Sequence, residues 1–173
     1  QEVIISMEGT DRTDPIIDIY TETLKMNKNL GITLQAYLHR TKDDLDEILD
    51  RYSSQEKLVG FREVLQSKDP RYMLREEFVR GIHKLKERGY TYDLLLFPQH
   101  LDAALELVKK CPEQRMVIDH LAKPLIKDGE WKTWKKKMAL LAERELIYCK
   151  VSGMVTEADW KKWKPEDLFP YLE

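Results

Sequence analysis

Short apolar runs alternate with helical stripes along the whole chain, and this alternation limits the fold more than any other feature. The runs are 3–7, 31–37, 58–61, 92–97, 116–118 and 146–151. Each is short, rich in β-branched or aromatic residues and bounded by turn signals, as expected for buried strands. The stretches between them carry apolar residues at helical spacing. Asp14 and Pro15 open the first as N-cap and first helical residue, and Ile16, Ile17, Tyr20 and Leu24 fall on one face. Thr41 and Asp44 form a capping box ahead of Leu45, Ile48 and Leu49. Phe78, Val79, Ile82 and Leu85 stripe a helix over 75–88 that stops at Gly89. Leu101, Ala104, Leu105 and Val108 mark the next, and Trp131, Trp134, Met138 and Leu141 the one after it. A last segment, 158–172, is expected to be helical with breaks at Pro165 and Pro170.

Strand and helix in strict alternation predict right-handed βαβ units, hence an α/β protein with a parallel sheet. The 173 residues are read as one domain of about six such units. A closed (β/α)₈ barrel takes eight strands and about 250 residues. The chain is therefore expected to be a partial or reduced TIM-type barrel or an open doubly wound sheet. Its unpaired edges could be completed by a homodimer.

Composition narrows the partners. Charged residues make up 35% but the net charge is only -2, so no field is expected for nucleic acid or an anionic membrane. No run approaches the roughly 18 apolar residues of a membrane span. Cys111 and Cys149 match no zinc or redox spacing and read as reduced thiols of a cytoplasmic protein.

Chemistry-bearing residues cluster where the predicted strands end. The stretch 115–124, Arg-Met-Val-Ile-Asp-His-Leu-Ala-Lys-Pro, runs from a buried strand directly into Asp119 and His120. In α/β proteins that end of the sheet is where sites are built. Asp119 and His120 suit catalysis or metal binding, or else form a strand-end pair with local hydrogen bonds. His100, after Pro98, could be a second ligand or a helix cap. His39 could join them, and three imidazoles from different strands could hold zinc. His83 reads as solvated. Glu8 and Glu63 follow strand ends and read first as solvated loop acids. Lys150 alternates with Val151; pointing inward, it would need a partner such as Glu8 or Asp119. Trp131, Trp134, Trp160 and Trp163 read as helix-to-sheet packing. Lys135, Lys136 and Lys137 read as a solvated face.

From about residue 50 to the end, the chain resembles the amidohydrolase-2 family, whose members include sugar-lactone and pyrone-dicarboxylate lactonases. The matching stretches are 57–66 (Lys-Leu-Val-Gly-Phe-Arg-Glu-Val-Leu-Gln), 92–101 (Tyr-Asp-Leu-Leu-Leu-Phe-Pro-Gln-His-Leu), 117–124, and 148–154 (Tyr-Cys-Lys-Val-Ser-Gly-Met) followed by 156–160. The resemblance implies a (β/α)₈ barrel. It implies that Arg62 grips a substrate carboxylate or polarises a lactone, and that His100 and His120 contact substrate or metal. Lys150 and Ser152 would line the same mouth. The family's first-strand His-x-His and terminal aspartate find no match.

Residues 1–45 are similar instead to the middle of the proline dehydrogenase barrel, on the strength of 4–10 (Ile-Ile-Ser-Met-Glu-Gly-Thr) and 31–41 (Gly-Ile-Thr-Leu-Gln-Ala-Tyr-Leu-His-Arg-Thr). That resemblance implies a flavin neighbour for Gln35. The family's next strand and its arginine clamp are absent, so FAD is not expected. Two incomplete signatures meeting at about 44–52 lead to the expectation of an engineered chimera, a scaffold without physiological activity. The alternative is a hydrolase of sugar lactones or related cyclic esters, with zinc or manganese as its metal, Arg62 holding substrate and His120 at the reacting centre. A flavin-binding remnant is the third reading.

Overall fold

Six parallel strands form one sheet in chain order, β1-β2-β3-β4-β5-β6. The computed structural model describes residues 3–6, 13–26, 30–35, 42–54 and 57–173. The strands are β1 (Val3–Ser6), β2 (Leu30–Gln35), β3 (Leu58–Val64), β4 (Thr91–Leu95), β5 (Met116–Ile118) and β6 (Ile147–Cys149). Between them run α1 (Thr13–Met26), α2 (Lys42–Tyr52), α3 (Glu76–Glu87), α4 (Leu101–Lys110) and α5 (Lys132–Ala142). Sequential order is the winding of a barrel. It excludes the doubly wound alternative, whose order reverses at a switch point. The fold is that of a barrel segment, as the alternation predicts.

The strand register sorts side chains into two faces. Phe61 stands beside Tyr92, and Tyr92 beside Met116. All three are fully buried together with Leu94 and Ile118. The helices cover this face with Leu45 and Leu49, with Phe78, Ile82 and Leu85, and with Leu101, Ala104 and Leu107, all buried. Phe78 packs edge-on against both Tyr72 and Tyr92, with ring centroids 5.7 Å apart in each case.

The opposite face is layered. Thr33, Gly60 and Thr91 share one row. Arg62, Asp93, Val117 and Tyr148 share the next. Gly60 has a steric reason: a Cβ there would collide with the Thr91 hydroxyl and lie 2.6 Å from the Thr91 carbonyl oxygen.

Several expectations change in detail. The segment 158–172 is not a continuous helix. Short 3₁₀ turns at Pro165–Asp167 and Phe169–Tyr171 take its place, because Pro165 and Pro170 each remove an amide donor. Trp160 is 78% exposed and Trp163 is also exposed. Only Trp131 and Trp134 of the four tryptophans pack against the core. Glu63 is no solvated acid: it is 1% exposed and accepts a 2.9 Å hydrogen bond from the Tyr72 hydroxyl. Its register with Leu94 places it on the helix-facing side. His83 is exposed, as expected. Glu8, His39 and Thr41 lie outside the described residues.

Among the described residues no helix is long and apolar enough to cross a membrane. Gly60→Ala is expected to lower stability by about 2 kcal/mol, the ordinary cost of forcing a methyl into a packed interior. A urea-unfolding midpoint close to that of the unaltered chain would show that β3 and β4 can part to admit it.

Candidate active site

A charge network occupies the upper end of the inner face. Lys150, one residue past β6, places its Nζ 2.6 Å from Asp93 Oδ2 and 2.6 Å from Asp119 Oδ1. Arg62 Nη1 donates to the other oxygen of Asp119 at 3.3 Å. Two carboxylates and two cations thus neutralise one another across β3, β4, β5 and the end of β6. Burial is what makes the pairing obligatory, since an unpaired charge in such a place is costly. The side chains of Asp93, Asp119 and Arg62 are 3%, 1% and 5% exposed, while that of Lys150 is 30% exposed. Lys150 is the cation of the network that reaches solvent.

The electrostatics follow from these positions. Burial pushes the Asp93 carboxyl above the usual range, and Lys150 pulls in the opposite direction. Burial also acts against the Lys150 ammonium, but its hydrogen bonds to Asp119 and Asp93 outweigh that and hold its pKa above the ordinary lysine value. Lys150 is therefore an ammonium at neutral pH.

His120 lies at the entrance to the loop after β5, half-buried, with Nδ1 2.8 Å from Ser152 Oγ. Burial first, then Lys123, Lys150 and Arg62, hold its pKa below 6.5 against the opposing pull of Asp119. The backbone here is unusual. His120, Leu121, Ala122 and Lys123 all have positive φ, between 48° and 56°. A left-handed conformation costs roughly 1–2 kcal/mol per non-glycine residue. The surroundings hold the turn in place. Trp134 Nε1 donates to the Leu121 carbonyl at 2.8 Å, Leu121 N donates to the Lys150 carbonyl at 3.2 Å, and Lys123 Nζ pairs with Glu157 at 3.2 Å. Strain held by such contacts is characteristic of functional sites.

The structure brings Arg62, Asp119, His120, Lys150 and Ser152 together and leaves His100 apart. His100 is fully buried, and its ring is engaged with backbone. The Phe97 amide donates to Nδ1 at 3.3 Å, and Nε2 lies 3.1 Å from the Lys68 carbonyl oxygen, which suits an Nε2–H tautomer. Gln35 ends β2 in register with Arg62. Asp93 was not among the expected site residues. Its signal was available: one acid inside the apolar strand Thr91–Leu95 requires a buried cation. The partner expected for Lys150, Asp119, is present.

Among the described residues the donors do not fit a metal. Among the described residues no three histidine, cysteine, aspartate or glutamate side chains converge. Both carboxylates of the inner face are already held by cations, which would repel a divalent ion, and the His100 nitrogens are taken up by backbone.

With this geometry in view, comparisons with known proteins fix the family. The Amidohydrolase family profile matches residues 22–173, and the chain belongs to this amidohydrolase-2 family. An uncharacterised protein of Sinorhizobium fredii is 25% identical over 147 residues, covering 80% of this chain and 49% of its own length. An L-fucono-1,5-lactonase of Burkholderia multivorans is 34% identical over 113 residues, covering 61% of this chain and 38% of its own. A Burkholderia multivorans amidohydrolase solved with bound zinc superposes with a TM-score of 0.81 at 25% identity, over 98% of this chain and 60% of that one. The chain thus spans half or less of the length of these curated relatives.

These findings correct the expectation of an engineered scaffold without activity. The family match begins at residue 22, inside the stretch read as proline dehydrogenase-like, and the solved amidohydrolase covers nearly the whole chain. β2 and β3, which flank the supposed junction, pair in parallel with one register shift between Ile32 and Thr33. No comparison supports a proline dehydrogenase segment, a chimera or a flavin remnant, and the lactonase-type hydrolase is the better-supported reading.

Asp119→Asn would remove the carboxylate that Arg62 and Lys150 both contact. We expect it to cost about 3 kcal/mol in urea unfolding, and Asp93→Asn less, because Lys150 then keeps Asp119. Equal losses for the two variants would mean that Asp119 is not the hub of the network.

Proposed function

We propose that this chain carries the polar mouth of a lactonase-type hydrolase, which opens a sugar lactone or related cyclic ester by adding water. The observation behind this reading is the solvent-reaching Lys150 ammonium, held by Asp93 and Asp119 on the same loop cluster as the His120 imidazole. The lactonase relative supports the substrate class.

Lactone hydrolysis places negative charge first on the carbonyl oxygen and then on the departing ring oxygen. A fixed ammonium that costs no reorganisation is suited to the first charge. His120, kept neutral by its surroundings, is suited to take a proton from the attacking water and return it to the ring oxygen as the C–O bond breaks. Arg62 is buried behind Asp119 and acts in this reading by fixing that carboxylate, which in turn aims Lys150. In this reading the charge is met by Lys150, a cation of the chain itself.

The test is hydrolysis of a panel of sugar lactones and pyrone dicarboxylates followed by pH indicator. Turnover is expected, and His120→Asn should lower kcat at least about 100-fold, the usual scale of general acid–base catalysis. Lys150→Met should lower it by a similar factor. Turnover equal in the unaltered chain and in His120→Asn would remove the reading.

The pH dependence has a defined sign. The neutral imidazole is the working base and is lost as pH falls through its folded pKa. Since that pKa is depressed, the acid limb of kcat/KM should have its midpoint below 6.5. A midpoint above 6.5 would mean that another group governs the limb.

A further inference from the structure

Two neighbouring residues beyond β6 close on the imidazole of His120. Ser152 Oγ is 2.8 Å from Nδ1. Gly153 has φ 67°, and a Cβ built on it would stand 3.2 Å from Nδ1 and 3.3 Å from both Cβ and Cγ of His120. Glycine is favoured there for two separate reasons, since a side chain would meet an unfavourable backbone conformation and press on the ring by a few tenths of an ångström. The same loop is tied to the His120 turn through the Leu121 amide and the Lys150 carbonyl. Among the described residues no hydrogen-bond partner meets Nε2.

We propose that Ser152 and Gly153 are positioning residues that hold the His120 imidazole in one orientation and one tautomer, leaving Nε2 for the substrate. A neutral imidazole carries one N–H, and the hydrogen bond at one nitrogen determines what the other can do. An unclamped ring exchanges tautomers and rotates, so part of the population faces the substrate with the wrong nitrogen. Ser152, sequence-read as a substrate contact, thereby acts through His120. The kinetic consequence rests on the hydrolase reading, whereas the tautomer does not.

The experiment uses the full chain with ¹⁵N-labelled histidine. Four histidines are present, and the His120 signals are those that vanish in His120→Asn. In the unaltered chain at pH 7.5, the two His120 nitrogens should show the widely separated shifts of a single tautomer. Ser152→Ala should draw them toward averaged values with no change in circular dichroism, and Ser152→Thr, which keeps a hydroxyl, should restore them. Gly153→Ala should displace the same signals, and Ser152→Ala decides the matter where that variant does not fold. In lactone assays Ser152→Ala should lower kcat by about 10- to 100-fold with KM unchanged, the scale of a misplaced catalytic group. Averaging in Ser152→Ala without turnover in any variant would support the clamp and reject the hydrolase reading. His120 shifts identical in the unaltered chain and Ser152→Ala would overturn the clamp, whatever the kinetics. So would recovery of an acyl ester on Ser152 after lactone treatment, because the serine would then be a nucleophile.

Discussion

The ion pairing of one lysine with two buried aspartates is the interaction on which the upper end of this sheet depends. Lys150 reaches Asp93 on β4 and Asp119 beyond β5 at the same short distance. Both acids are buried, and a buried carboxylate without a cationic partner is costly. The pairing also fixes geometry. A lysine stem is flexible, but two carboxylates from adjacent strands leave its ammonium few positions to occupy. The result is a cation with little freedom, partly exposed, at the end of the strands where barrel enzymes act. Family membership then gives that arrangement a chemical context.

The His120 turn complements it. Four successive left-handed residues are costly, and no glycine among them relieves the cost. The compensation comes from elsewhere in the chain: the Trp134 indole, the Lys150 carbonyl, the Glu157 carboxylate and the Ser152 hydroxyl. Two of these belong to the loop that carries Lys150 itself. The imidazole and the ammonium are therefore not independent features of the mouth, because one stretch of backbone places both.

Much of the architecture was legible in the sequence because it rests on periodicity. The run 116–118 is β5 to the residue, and the stripe Phe78, Ile82 and Leu85 is the buried face of α3. The ends were harder to read. The 158–172 segment has apolar residues at helical spacing, yet its prolines outweigh the pattern. For the candidate site, strand-end position drew attention to Asp119 and His120, and the family resemblance to Lys150 and Ser152. It could not show that His100 turns away to the Lys68 carbonyl, because that acceptor comes from a loop 32 residues distant. Glu63 was misread for a related reason: the parity of its strand position sends it toward Tyr72, a fact of register rather than composition. The left-handed run had no local signal, since contacts across the sheet impose it. The supposed chimera came from reading weak likeness over a short stretch as ancestry, where the barrel segment is continuous.

The chain-order sheet has a consequence for how the molecule is assembled. Each strand pairs with the one made just before it, so β1 through β5 can associate while the remainder is still being synthesised. Lys150 is the last member of the charge network to emerge. Until it arrives, the two aspartates lack the ammonium that joins them, and burying them without it is costly. Burial of the two aspartates is therefore expected to be a late event, completed by Lys150.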